Sequence, residues 1–462
     1  MSSYLIDRDD GRAVPVTPVA ERQLASWLER QPAALRAWLD STRFRAEPGE
    51  VSLVAGPDGG LGRVVLGVGD DDPFAYGALP DRLPEGSYRL APEGAAAEPP
   101  GWQSRAALGW ALGTYAFTRY KARKKGFASL IWPEGADRAA VERLAEAVFL
   151  VRDLINTPAN DMGPAELAAA ARDLGRRHGA RVSVIAGDDL LAANYPSIHA
   201  VGAASSRPPC LIDLVWGEAD APRLTLVGKG VCFDSGGLDI KPAESMKMMK
   251  KDMGGAAHVL GLASVVMAAG LPVRLRVLIP AVENAVGGRA MRPLDVIKTR
   301  KGLTVEIGHT DAEGRVVLSD ALAEAASETP ALLIDYATLT GAARVALGAD
   351  LPALFSNDDA LAADLMRHGT AEGDPMWRLP LWRGYRRMID GKTADLTNSA
   401  EGSHAGAITA ALFLQEFVGE GVPWAHIDLL AWNLKSRPGR PEGGEAQTLR
   451  AVYALIAERF GK

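Results

Sequence analysis

LTLVGKGVCFDSGGLDIKP, residues 224–242, opens as an apolar strand and turns charged within a few residues. Lys229 and Asp234 follow the run LTLV, Gly236 and Gly237 mark a turn, and Lys241 comes after it. Similar apolar runs recur on either side: ARVSVIA (180–186), LIDLVWG (211–217), VRLRVLIPAVE (273–283), LTVEIG (303–308), ALLIDYATL (331–339) and AHIDLLAW (425–432). Helical stretches of ten or more residues separate many of them. Strands alternating with helices of that length imply an α/β fold with a largely parallel sheet flanked by helices. In such sheets ligands gather at the carboxyl ends of the strands, which is where Lys229 and Asp234 fall.

A chain of 462 residues exceeds the size at which one hydrophobic core keeps growing, so two domains are expected. Upstream, short strand-like runs (VSLVAG, RVVLGVG) sit among acidic and Gly/Pro turns, and LAPEGAAAEPPGWQS (90–104) reads as a surface loop. Helical periodicity follows in 105–125 and again in DRAAVERLAEAVFLVRDLI (137–155). The expected division lies near 140, with a smaller N-terminal α/β domain over 1–140 and a larger C-terminal domain over 141–462.

Hydrophobic residues at 47% and charged residues at 23% are ordinary globular values. With a net charge of -6, no global positive field draws in nucleic acid or an anionic membrane, although a local basic patch stays open. Two cysteines, Cys210 and Cys232, speak against a disulfide framework and for a reducing compartment. The opening MSSYLIDRDD carries acidic residues where a secretory signal has an apolar core, so a cytoplasmic location is expected. GGAAHVLGLASVVMAAGLPV (254–273) approaches the length of a membrane span but contains His258 and Ser264 and ends at Gly270 and Pro272; a buried core helix is the expectation.

Two further charged clusters fall where strands end or helices begin. KMMKKDMGGAAHV places Asp252 ahead of the long apolar helix, and HTDAEGRVVLSD (309–320) places Asp311, Glu313 and Arg315 after LTVEIG. Each has a plain reading: Asp252 as an N-cap, Lys229 as a solvated charge, Asp-x-Glu as surface. A phosphate loop is disfavoured, because Lys229 precedes Gly-Val-Cys-Phe-Asp and not Ser/Thr at a helix start. Taken together, several carboxylates at one sheet edge would repel one another unless protons or cations intervened.

A pair of divalent ions answers that repulsion. Carboxylate oxygens suit Zn, Mn, Mg or Co, and two adjacent ions can activate a water and polarise a carbonyl. In an extended segment residues two apart share a side, so Asp311 and Glu313 would face one metal pair with Arg315 beside them. The seven histidines form no HExxH pair and no Gly-x-Ser-x-Gly elbow is present, so neither a zincin nor a serine hydrolase is indicated.

VGKGVCFDSGGLDIKP, KKDMGGAA, TDAEGRVVLSDAL and ATLTGA, in this order and spacing, closely resemble the leucyl aminopeptidase (cytosol aminopeptidase) family of dinuclear metallopeptidases. NTPANDMGP, GAITAALFLQEF and WAHIDLLAW are similar to segments of the same family, and the likeness covers roughly residues 150–460. The resemblance implies that Lys229, Asp234, Asp252 and Glu313 hold one metal while Asp234, Asp311 and Glu313 hold the other, the carbonyl of Asp311 contributing. It implies Lys241 as the stabiliser of the tetrahedral gem-diolate and Arg315 as the holder of a bicarbonate general base. On the residue types alone, an Arg315 ion pair to a carboxylate stays open.

By the same resemblance Thr338, Leu339 and Gly341 position the substrate backbone, and Met249 floors a pocket for apolar, leucine-like N-terminal residues. Core filler is the plain alternative for Met249. The implied activity is release of N-terminal amino acids from peptides, with two divalent ions (Zn or Mn, with Mg or Co as alternatives). The implied assembly is a homohexamer, a dimer of trimers whose active sites face an interior cavity. A DNA-binding or structural relative with little peptidase activity is the competing reading. His309 stands where the family usually has asparagine and is not expected to be a ligand.

Overall fold

The computed structural model describes residues 4–8, 11–68, 73–93 and 100–461. Of the loop expected over 90–104, residues 94–99 lie outside the described residues, as do 1–3 and 9–10 of the N-terminal stretch. The chain forms two compact units, Met1–Phe149 with Asn433–Glu442, and Leu150–Trp432 with Gly443–Lys462. The division falls inside the helix Arg138–Asn156.

The first unit holds a six-stranded sheet in the order Leu5–Ile6, Ser129–Ile131, Ser87–Leu90, Val14–Ala20, Leu61–Val68, Val51–Ala55. Only the last pair is antiparallel. Val16, Leu66, Tyr88 and Trp110 share one core cluster, while Val19, Trp27, Leu39 and Val65 share another. Alternation along Leu61–Val68 sends Val65 to one face and Val64 and Leu66 to the other. The helix expected over 105–125 runs instead from Trp102 to Gly113. Helices in proteins persist by burying an apolar face, and residues 121–125, four of them basic, are all exposed.

The second unit is built on a nine-stranded sheet of β1 (Arg181–Ala186), β2 (Cys210–Trp216), β3 (Arg223–Gly228), β4 (Gly230–Asp234), β5 (Arg274–Asn284), β6 (Leu332–Ala337), β7 (Ala353–Ser356), β8 (Trp377–Arg378) and β9 (Trp424–Asp428). The order is β8-β7-β9-β6-β3-β5-β2-β1, with β4 pairing the far end of β5. The centre, β9-β6-β3-β5 with β4, is parallel, and antiparallel pairings occur only toward the sides. Fold class and mostly parallel sheet are therefore as expected from the strand–helix alternation.

Two helices cover the central strands, α1 (Gly254–Ala268) and α2 (Glu313–Ser327). Val227, Leu278 and Leu333 pack with Val316–Leu322 of α2. One residue beyond Val227, Gly228 faces α1, where a Cβ would fall 2.5 Å from Val259. The helices thus lie on opposite faces. Every residue of α1 from Gly254 to Met267 is buried, and no helix of the described residues is long and apolar enough to cross a membrane.

The start of α1 sits directly on the strand ends. A Cβ on Gly255 would come 2.1 Å from the carbonyl oxygen of Tyr336 and 2.7 Å from the amide nitrogen of Lys229. Only glycine permits that approach. The contact brings Asp252, just ahead of α1, beside Lys229 and Thr338.

Candidate active site

A cavity of about 350 Å³ opens at the carboxyl ends of β3, β4, β6 and β9. Lys229, Asp234, Asp252, Asp311, Glu313, Lys241, Arg315, Met249, Thr338, Leu339 and Gly341 all line it. Residues more than a hundred positions apart meet there because each lies on, or just beyond, a strand or helix terminus at that sheet edge.

Asp234, Asp252 and Glu313 are buried and each offers an oxygen within 4.8 Å of the others. Asp234 Oδ1 accepts from the Asn284 side chain at 2.8 Å and from the Gly236 amide at 2.9 Å. Asp252 Oδ1 accepts from the Thr338 hydroxyl at 2.7 Å. The N-cap reading of Asp252 is corrected here: it lies in the 3-10 turn Met249–Met253, and α1 has no side-chain cap. The remaining Asp252 Oδ2 and Glu313 Oε1 are buried and face Lys229.

Lys229 is buried, so the reading of a solvated charge fails. Its Nζ lies 2.8 Å from both Asp252 Oδ2 and Glu313 Oε1, and donates to the Thr338 carbonyl at 3.0 Å. Gly314 makes room for it: a Cβ there would sit 2.5 Å from Lys229 Cε. Burial by itself lowers the Lys229 pKa, but Asp252, Glu313 and Asp234 outweigh it and the pKa is raised. Burial, reinforced by Asp234, pushes Glu313 up to about 8; burial and Asp252 push Asp234 up to about 6. Asp252 goes the other way, burial being outweighed by Lys229 and Lys251 so that its pKa is lowered. Three buried carboxylates this close together are chemically suited to a divalent cation.

Lys241 bridges a second pair of carboxylates, 2.8 Å from Asp234 Oδ2 and 2.5 Å from Asp311 Oδ1. Arg315 is buried, and neither an ion pair nor a hydrogen bond of its guanidinium is found among the described residues; its Nε is orphaned. The structural ion pair left open for it is therefore not made. Burial lowers its pKa to about 10, so it stays charged at neutral pH.

The expectation that Asp311, Glu313 and Arg315 alternate along an extended segment is overturned. Glu313 is the first residue of α2 and Arg315 its third, so about 200° of helix rotation separates them. They reach one cavity because the helix end points at it. The same segment is tied down by Asn398, a residue the sequence reading missed. Its Oδ1 accepts from the Gly308 amide at 2.8 Å, and its Nδ2 donates to the carbonyls of His309 at 2.8 Å and Ala312 at 3.2 Å.

His309 is half exposed, and its Nδ1 accepts from the Asp311 amide two residues on, at 3.1 Å. An asparagine oxygen makes the same local bond in an Asx turn. The histidine thus serves as a local backbone acceptor. Met249 is partly buried at the cavity wall and is not core filler.

Asp428, at the end of β9, was also missed. It accepts from the Leu339 amide at 3.0 Å, the Thr340 amide at 3.2 Å and the Thr340 hydroxyl at 2.6 Å. Its signal was present, since AHIDLLAW ends a strand with an acid at the same sheet edge as Asp234. Asn284, at the end of β5, carried no such charge to mark it.

Comparison with known proteins defines the class. Residues 149–455 match the catalytic domain of the cytosol aminopeptidase family, and residues 14–133 match the M17 aminopeptidase N-terminal domain. The chain belongs to the cytosol aminopeptidase family, metal-dependent peptidases, and is an aminopeptidase acting on peptides.

It is 44% identical over 365 residues to a probable cytosol aminopeptidase of Roseiflexus castenholzii, covering 75% of this chain and 74% of the relative. A probable cytosol aminopeptidase of Geobacter sulfurreducens is 43% identical over 378 residues, covering 78% and 76%. Among solved structures, the cytosol aminopeptidase of Coxiella burnetii superposes with a TM-score of 0.93 at 49% identity, covering 99% of both chains. The bottromycin maturation enzyme BotP, in complex with Mn, superposes with a TM-score of 0.84 at 35% identity, covering 95% of this chain and 99% of that one.

Proposed function

We propose that this aminopeptidase removes apolar, leucine-like N-terminal residues with the help of two divalent ions. The observation that carries the reading is the buried triad Asp234, Asp252 and Glu313, with oxygens within 4.8 Å of one another. Lys229, Asp234, Asp252 and Glu313 would hold one ion, and Asp234, Asp311 and Glu313 the other. When bound, the ions supply Lewis-acid polarisation of the scissile carbonyl and a water of lowered pKa. Zn and Mn suit these ligands; the Mn complex of BotP, at 35% identity, supports a divalent ion of this kind.

Lys229 serves as a ligand in its neutral form, since cations beside it would reverse the sign of the shift that the carboxylates now impose. Lys241 places an ammonium beside Asp234 and Asp311, where the carbonyl oxygen gains negative charge as water adds. Arg315, charged, buried and with no ion pair among the described residues, is suited to grip a planar oxyanion through two parallel hydrogen bonds. Arg315 would hold a bicarbonate, which would supply a general base at the site. Thr338, Leu339 and Gly341 would orient the peptide backbone, and Met249 would face the N-terminal side chain.

Chelator-treated protein should lose hydrolysis of leucine anilide and recover it on addition of Mn or Zn. Metal analysis of the recovered enzyme should find two ions per chain; metal-independent turnover would refute the scheme. A cytoplasmic homohexamer completes the reading, and light scattering should give six times the 48.9 kDa chain mass. A monomer would remove the hexamer from it.

A further inference from the structure

The cavity holds more positive charge than the proposed chemistry uses. Lys229 and Lys241 lie against carboxylates, and Arg315 is assigned to an oxyanion. Two cations remain, Lys251 and Arg344, both lining the cavity. Lys251 is only 5% exposed, yet among the described residues its ammonium has no hydrogen bond and no carboxylate within 4.0 Å. It sits between Met249 and Asp252 on the 3-10 turn that precedes α1. Arg344 belongs to the helix Gly341–Leu347 and folds back, its terminal nitrogen 3.6 Å from where a Cβ of Gly341 would lie. It too has no ion pair among the described residues.

A buried ammonium with no carboxylate in direct contact is costly, and Asp252 and Asp428 act on Lys251 only through space. The nearest acid of the β9 end, Asp428, is already occupied by two amides and a hydroxyl. The partner must then come from outside the chain, and what enters this cavity is the peptide. We infer that Lys251, supported by Arg344 beside Gly341, binds a carboxylate of the substrate and so selects peptides carrying an acid close to the scissile bond. The inference rests on the aminopeptidase reading of the site. It adds cationic groups to a cavity lining that also holds Met249. The carboxylate can be the side chain of an N-terminal Glu or Asp, or the C-terminus of a dipeptide.

The test uses the intact metal-loaded enzyme and two substrate pairs: glutamyl against glutaminyl anilide, and leucyl dipeptides against their C-terminal amides. In one pair kcat/KM should favour the carboxylate member, and Lys251→Met should lower that ratio by about tenfold or more, the loss expected for a hydrogen bond to a charged group. The pair that responds identifies the source. Lys251→Arg should restore most of the ratio, which a merely structural role would not explain. Arg344→Ala, at an exposed helical position, should lower the same ratio by a smaller factor and guards against a folding defect in the Lys251 variant. Ratios unchanged by both substitutions overturn the inference while leaving the aminopeptidase intact. No turnover on any of the four substrates would remove the aminopeptidase reading and the inference with it.

Discussion

Glu313→Gln should abolish peptide hydrolysis without unfolding the protein. Turnover is expected to fall by more than the roughly 10–100-fold that follows loss of a partner behind a metal ligand, because Glu313 is proposed to contact both ions. The same substitution should have a second, opposite effect on the chelated protein. Burial and Asp234 raise the Glu313 pKa from 4.5 to about 8, so between those values the unfolded chain has released a proton that the folded one keeps.

The Glu313 contribution to stability is then fully present below pH 4.5 and lost as pH rises through about 8. Glutamine has no proton to lose. Thermal unfolding at pH 8 in chelator should therefore find the variant at least as stable as the parent, and added Mn should stabilise the parent far more than the variant. A variant that is inactive because it is unfolded, or that gains as much from Mn, would contradict the role.

Lys241→Met should act on rate and not on metal loading. The ammonium lies 2.8 Å from Asp234 and 2.5 Å from Asp311, both proposed ligands, but it cannot itself bind a cation while charged. Removing one donor aimed at a developing oxyanion costs about 10²–10³ in kcat. Steady-state kinetics on leucine anilide should show a loss of that order, with metal content per chain unchanged. A fall in metal content with kcat per metal preserved would reassign Lys241 to holding the carboxylates in place.

What the sequence made legible follows from how local each signal is. β3, β5, β6 and β9 are visible as apolar runs, and Lys229, Asp234 and Asp252 stand out because charge follows such a run or precedes an all-apolar helix. The alternation of Asp311, Glu313 and Arg315 has the right residues but the wrong conformation, since a period of two in three charges is weaker than the run VVLSDALAEAA that pulls the helix start back to Glu313. Asn398 and Asn284 were illegible because a neutral amide leaves no pattern; only the fold brings Asn398 to the backbone it ties. Lys251 was hidden differently, as one lysine among three in KMMKK (247–251), and only its deeper burial separates it from Lys247 and Lys250.

Asp428 has a bearing on binding that goes beyond its hydrogen bonds. By taking the amides of Leu339 and Thr340 and the Thr340 hydroxyl, it immobilises the strand-to-helix turn before any peptide arrives. The conformational entropy of that turn is lost when the chain folds and need not be lost again on association. A floppy turn would have to be ordered by each substrate, and short peptides have few contacts with which to do it. The buried carboxylate at the end of β9 is thus a reason why a pocket suited to one or two residues can bind them at all.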